Sequence, residues 1–228
     1  MRRGDLVREH PMLYHMAADG TWPAIQARGL LSTQAIVDLY APPPPGRAEI
    51  LSVVRRTAIT LDDPVLGPAV IRDQTPLRFL DECLQPGTSA QEFLHALNNR
   101  VFFWLTRQRL GTLLNARLNR QLAHTVLSVD TGELLARYGD QVQLSPYNTG
   151  STYARTSPRR GPDIFVDVEE YPHDAWRARR GKTGDAVVEL TLPYSVPDIV
   201  DMTVRVERWA GGVPVETLFE RASAPVTG

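Results

Sequence analysis

Three pieces near the start of the chain, Leu13-Tyr14-His15-Met16, Trp22-Pro23-Ala24-Ile25 and Gly29-Leu30-Leu31-Ser32-Thr33, decide how the rest is read. Apolar residues around a histidine make Met12 to Met16 a strand. Thr21 as N-cap, Pro23 in the first turn and Gly29 as the stop predict a helix over Trp22 to Arg28. Ser32 or Thr33 caps a second helix, which must end before Pro42-Pro43-Pro44-Pro45, since four prolines make a stiff exposed connector. The result is a strand, a helix and a cap surrounding one histidine.

Outward from there, Ala48 to Arg56 reads as helix. Ala58-Ile59-Thr60-Leu61 and Ala69-Val70-Ile71 read as an irregular hairpin broken by Pro64, Gly67 and Pro68. Pro76 to Cys83 is predicted helical, and Ser89 with Glu92 forms a capping box for a helix over Gln91 to Asn98. Val101 to Leu105 is an aromatic-rich strand, after which Thr106 caps a long amphipathic helix to about Arg120. Thr125 to Val129 is a buried strand, Asp130 or Thr131 caps a helix to Tyr138, and Gln141 to Leu144 resumes a strand. The polar stretch Ser145 to Pro162 has the length of a functional or disordered loop. Ile164 to Val168 and Ala186 to Leu192 are strands around a helical piece near His173 to Arg179. Met202 to Trp209 and Val213 to Phe219 flank Gly211-Gly212 as a hairpin. Helices cluster early and strands late, with no internal repeat. That predicts one α+β domain over 1–228, with loose ends near 1–9 and 221–228.

The 228 residues, 43% of them hydrophobic, are enough to bury one large core unaided. The single cysteine, Cys83, excludes an internal disulfide and a multi-thiolate zinc site, and fits a reducing cytoplasm. No apolar run has the roughly 20 residues of a membrane helix, and Met-Arg-Arg-Gly-Asp is not a secretory leader, so a soluble cytoplasmic protein is expected. A net charge of −1 gives no global attraction to nucleic acid. Lys182 is the only lysine; with abundant Ala, Val, Leu and Pro, this looks like a GC-rich genome, so arginine abundance alone carries no function. The glycine-rich dinucleotide and P-loop signatures, the nucleophile elbow, the zinc helix and the deaminase signature are all missing. The five histidines show no ligand spacing.

The opening Leu-Tyr-His, Trp-Pro-Ala-Ile and Gly-Leu-Leu-Ser resemble the start of ADP-ribosyltransferase-like domains, above all the DarT-like enzymes that modify DNA bases. Val101-Phe102-Phe103-Trp104-Leu105-Thr106-Arg107 resembles their aromatic strand and arginine, although Thr106 stands where that group has proline. Glu189-Leu190-Thr191-Leu192-Pro193 is similar to their strand bearing the catalytic glutamate. The islands cover about a fifth of the chain, and nothing between Tyr40 and Leu97 is shared. The whole chain also resembles an uncharacterised bacterial domain-of-unknown-function family, through Val-Phe-Phe-Trp-Leu and Ser-Pro-Tyr-Asn-Thr-Gly-Ser. The resemblance implies a split-sheet fold, NAD as substrate and a toxin-like, DNA-binding transferase. Glu189 and Arg107 would be catalytic. His15, Ser32, Thr33, Phe103 and Arg109 would hold NAD, and Tyr147, Asn148, Arg155 and Arg179 the acceptor.

Each of these residues also has a plain reading. His15 alternates with Leu13 and is either a satisfied histidine on a half-buried strand or a ribose ligand. Ser32 and Thr33 are helix caps that could also face a cleft. Of Phe102, Phe103 and Trp104, at least one points into the core, leaving a face to stack on nicotinamide or a base. Arg107 and Arg109 oppose the dipole of the helix they begin, which either a bound anion or solvent relieves. Glu189 shares a strand face with Val187 and Thr191, where an acid is either solvated or catalytic. If catalytic, it would steady the cationic ribose as NAD's glycosidic bond breaks and activate the acceptor. Arg155, Arg159, Arg160, Arg177, Arg179, Arg180 and Lys182 make a local basic surface, either nucleic-acid-binding or solvated. Tyr147, Asn148, Ser151, Thr152 and Tyr153 supply either stacking and hydrogen bonds or turn structure. The leading expectation is therefore an NAD-dependent ADP-ribosyltransferase acting on a nucleic-acid base or nearby acceptor. The alternatives are a non-enzymatic nucleic-acid- or partner-binding protein of the same fold, and an RNA 2′-phosphotransferase-like enzyme.

Overall fold

The computed structural model describes residues 1–43, 46–181 and 184–222. Pro44 and Pro45 of the connector, Lys182 of the basic surface and 223–228 of the C-terminal end lie outside the described residues. The first half of the chain runs α1 (Arg3–Glu9), β1 (Met12–Ala18), α2 (Trp22–Arg28), β2 (Leu30–Leu31), α3 (Thr33–Tyr40) and α4 (Gly46–Ser52). It continues through β3 (Ile59–Leu61), β4 (Ala69–Ile71), α5 (Leu80–Cys83), α6 (Ala90–Asn98), β5 (Arg100–Trp104) and α7 (Arg107–Leu114). The second half has β6 (His124–Asp130), α8 (Thr131–Tyr138), β7 (Gln143–Ser145), β8 (Val166–Asp167) and α9 (His173–Arg180). It closes with β9 (Glu189–Pro193), β10 (Ser195–Val196), α10 (Ile199–Met202), β11 (Thr203–Ala210) and β12 (Val213–Glu220).

Eight strands form one antiparallel sheet in the order β12-β11-β6-β1-β5-β9-β7-β8, so the fold is α+β. Alternation along the central strands sends Leu13, Leu127, Val129, Val101, Phe103, Leu190 and Leu192 into one core, closed by Trp22, Ile25, Leu134 and Ile199 from the helices. The opposite face carries Met16, Val126 and Trp209 against Leu110 and Leu114 of α7, and farther along Phe102 packs with Phe93 and Leu94 of α6. Between those two patches the face stays open. At the centre, β1 and β5 are joined by a single paired position, Tyr14 with Trp104.

Local chemistry explains where the elements stop. The Ser89–Glu92 capping box, the Ser32 cap on the Ala35 amide and the Asp130 cap on the Glu133 amide form as their sequences predict. Thr21 does not cap α2; its hydroxyl donates to the Ala18 carbonyl instead. The helix predicted to Arg120 stops at Leu114, because the Asn115 and Asn119 side chains donate to the Gly111 and Leu113 carbonyls. Only Leu80–Cys83 of the predicted Pro76–Cys83 helix is helical, since Thr152 exchanges main-chain bonds with Pro76 and Phe79. The helix expected to Arg56 stops at Ser52, and the Arg55 carbonyl accepts from the Gln74 amide. Residues 3–9, read as a loose end, form α1 with Leu6 fully buried.

Candidate functional site

Register places Tyr14, Trp104, Glu189 and Ser145 in one row across β1, β5, β9 and β7. Because facing residues share a face, Glu189 lies on the same side as Tyr14 and Trp104, away from the Phe103 core. The open part of this face forms the floor of a cavity of about 650 Å³. His15, Phe102, Trp104 and Glu189 line it from the sheet, Ser32 and Thr33 from the start of α3, and Asn148 to Ser151 from the long loop.

Glu189 is not a solvated acid: it is only 4% exposed. Burial pushes its pKa up to about 7 from the ordinary 4.5, against the opposing pull of Thr149 and of the Arg160 and Arg109 charges. The Thr149 amide and hydroxyl both donate to Oε2, at 3.1 and 2.7 Å. No described residue hydrogen-bonds Oε1. The result is a carboxyl group poised near neutrality, with one oxygen held and the other free.

His15 sits where β1 and β5 part. Its Nδ1 lies 2.8 Å from the Phe102 carbonyl, which can only accept, so Nδ1 carries the hydrogen. Burial, and after it the Arg72 charge, lower the ring's pKa, while the Phe102 bond opposes them. The neutral ring therefore presents a bare Nε2, a hydrogen-bond acceptor.

Two of the three residues at the centre of the sequence reading, His15 and Glu189, line the same cavity, Glu189 from the Tyr14–Trp104 face and His15 from the gap between β1 and β5, with its ring 5.7 Å from that of Phe103. Arg107 does not join them: it is exposed, and its guanidinium lies 5.4 Å from the Trp209 ring centre. Arg109 does line the cavity, and Asp185, 2.6 Å from its Nε, supplies the anion that the helix start calls for. Phe103 is fully buried in the core, so Phe102 and Trp104 are the aromatics that face the cavity. Ser32, itself buried, caps α3 beside the cavity, with Thr33 next to it.

Tyr147 turns away from the cavity to pack edge-on against Trp176, while Asn148, Ser151 and Tyr153 line it. The basic surface disperses, because its guanidinium groups brace loops. Arg155 pairs with Glu82, Arg159 donates to the Glu82 and Leu84 carbonyls, and Arg180 to those of Pro146 and Asp185. Arg179 lies over Trp176.

Sequence reasoning counted Arg160 only as part of the basic surface and passed over a second group. Arg160, only 2% exposed, donates to the carbonyls of Asn148, Thr149 and Ser151, and so shapes the turn that presents Thr149 to Glu189. The only available signal was a basic residue next to a Pro- and Gly-bearing loop. The second group is Arg55, Arg72 and Asn119, which line the cavity from segments read only as helix ends and an irregular hairpin. Gly29 joins the two sides of the site: at φ 76°, a Cβ there would lie 2.3 Å from the Val196 carbonyl oxygen. That close approach lets β2 pair with β10, directly after the strand carrying Glu189.

Among the described residues, no group of three or more His, Cys, Asp or Glu side chains could hold a metal ion, and no helix is long and apolar enough to cross a membrane. Fold and site together define a mixed α+β protein whose large antiparallel sheet floors a cavity holding a buried carboxyl group and a histidine. The chain belongs to a family of unknown function, DUF7002, whose model matches residues 11–203. No curated protein matches it.

Proposed function

We propose that this chain has an ADP-ribosyltransferase-like fold and transfers ADP-ribose from NAD to a nucleic-acid base or a nearby acceptor. The observation that carries this reading is a buried carboxyl group, Glu189, with one oxygen held by Thr149 and the other free, in a cavity that His15 also lines. In the reaction, the bond between nicotinamide nitrogen and ribose C1′ breaks and nicotinamide leaves with the electron pair. The Glu189 carboxylate steadies the resulting positive charge on the ribose ring through Oε1. A nucleophilic nitrogen or oxygen of the acceptor bonds to C1′, and its proton passes to Glu189, whose pKa near 7 suits both its charged and its protonated role.

The bare Nε2 of His15 accepts a hydrogen bond from a ribose hydroxyl, and Trp104, facing Glu189 across the sheet, offers a ring to the nicotinamide. Arg109 is the cavity-lining cation nearest in sequence to the aromatic strand, and Arg107 takes no part in this reading. The test is to incubate the purified chain with NAD and a DNA oligonucleotide, following free nicotinamide and the oligonucleotide's mass. Nicotinamide release with addition of ADP-ribose supports the reading. Unconsumed NAD overturns it in favour of a binding protein.

A further inference from the structure

We propose that the end of the cavity built from Arg55, the 69–74 segment and the turn after α7 is a phosphate-binding site, centred on Arg72 and Asn119 with Arg117 on the same turn. Its ligand would be the phosphate ester of a nucleotide or of a nucleic-acid strand.

Six arginines line the cavity, Arg28, Arg55, Arg72, Arg100, Arg109 and Arg117, against the acids Asp73 and Glu189. Among the described residues, only Arg109 of the six has a carboxylate within salt-bridge distance. Of the two lining acids, Asp73 accepts from the Thr75 amide and acts on Arg55 and Arg72 without contacting either guanidinium, and Glu189 is held by Thr149. In a chain of net charge −1, the described cavity wall carries a local excess of cations.

Arg72 is the best placed of them. Arg55 Nε donates to its carbonyl at 3.0 Å, fixing the backbone from which the side chain projects. Its own NH2 reaches Asn119 Oδ1 at 2.8 Å, and Asn119 is held in turn by the bond from its Nδ2 to the Leu113 carbonyl. Asn119 is neutral, so the arrangement orients the guanidinium without neutralising it. Burial lowers the pKa of Arg72, with Asp73 opposing, and the Arg72 charge is felt at His15 and His124. A partly desolvated cation with no carboxylate in contact is costly unless something supplies that contact. Arg160 shows the structural alternative, a guanidinium whose three nitrogens all donate to carbonyls. Among the described residues the Arg72 side chain bonds Asn119 alone, so the rest of its fork is available to an oxyanion, and several separated guanidinium groups suit the multiple charges of phosphate esters.

The site is argued from charge and geometry alone and does not rest on the transferase reading. Calorimetric titration of the full chain with inorganic pyrophosphate, ADP and a short single-stranded oligodeoxynucleotide tests it. Pyrophosphate should bind, with affinity falling at least ten-fold in Arg72→Gln, partly recovered in Arg72→Lys and unchanged in Arg155→Gln, whose arginine pairs with Glu82 outside the cavity. Stronger Arg72-dependent binding of ADP than of the oligonucleotide identifies a free nucleotide as the source, and the reverse order a nucleic-acid strand. Absence of pyrophosphate binding, or equal binding by a folded Arg72→Gln chain, overturns the site. If Arg72→Gln does not fold, Arg117→Gln on the exposed turn decides: several-fold weakening supports the site, and no change overturns it. Failure of NAD turnover leaves this result standing.

Discussion

Thr149 gives both its amide and its hydroxyl to one oxygen of Glu189, so the loop at 148–151 and the strand at 189–193 act as a unit. These bonds favour the charged carboxylate while burial disfavours it, and burial wins, setting the pKa near 7. Thr149→Val removes the hydroxyl donor and keeps the amide. The Glu189 titration should move upward in pH, with a stability loss of about 1 kcal/mol. Carboxyl NMR of labelled glutamate and a denaturant titration check the two effects; a downward or absent shift contradicts the clamp.

Glu189 also ties stability to pH. Its folded pKa is raised from 4.5 to about 7, so its contribution is fully present below about pH 4.5 and is lost as pH rises through 7. Glu189→Gln, which keeps the shape and cannot ionise, should match the parent chain near pH 4 and exceed it above pH 8 by up to about 3 kcal/mol. Denaturant midpoints across pH measure this. A variant less stable at pH 8 would show that the carboxylate is stabilised where it sits.

Arg160 tests what holds the loop. Arg160→Met leaves the Asn148, Thr149 and Ser151 carbonyls without their donor, at a cost of about 3 kcal/mol, and releases Thr149 from its position. Hydrogen exchange at the Thr149 amide should accelerate more than at Leu127 in the core. Equal acceleration at both would indicate global loosening alone.

How much of this was legible in the sequence follows from what each signal encodes. Caps and turns are local, so α2, α3, α6, α8 and the β11–β12 hairpin could be read from residues such as Gly29, Ser32, Ser89, Asp130 and Gly211-Gly212. The position of α7's end was not, because it depends on Asn115 and Asn119 taking helix carbonyls. His15 and Glu189 were legible as candidates through resemblance, whereas the cavity they both line is a matter of strand order. Phe102, Phe103 and Trp104 are all aromatic, so alternation could not say which of them left the core; pairing with Glu189 decides for Trp104. Arg72 carries no local mark, since only the fold brings it to Asn119 and leaves it without a carboxylate.

Gly29 and Gly20 separate strain from contact. Both have positive φ, 76° and 77°, but only at Gly29 does a Cβ meet backbone, at 2.3 and 2.4 Å from Val196 and Pro197. Gly20→Ala should cost about 1 kcal/mol and Gly29→Ala several, because the main chain at 196–197 cannot give way. Thermal unfolding of the two variants checks the order; equal losses would mean that β2 and β10 can separate freely.

The central claim is that Glu189 works chemically in this cavity. Its most direct test is the rate of nicotinamide release from NAD by the parent chain and by Glu189→Gln at pH 7.5, with both chains shown to be folded. The account predicts measurable release by the parent and a loss of at least a hundred-fold in the variant. Release at the same rate by both would contradict it.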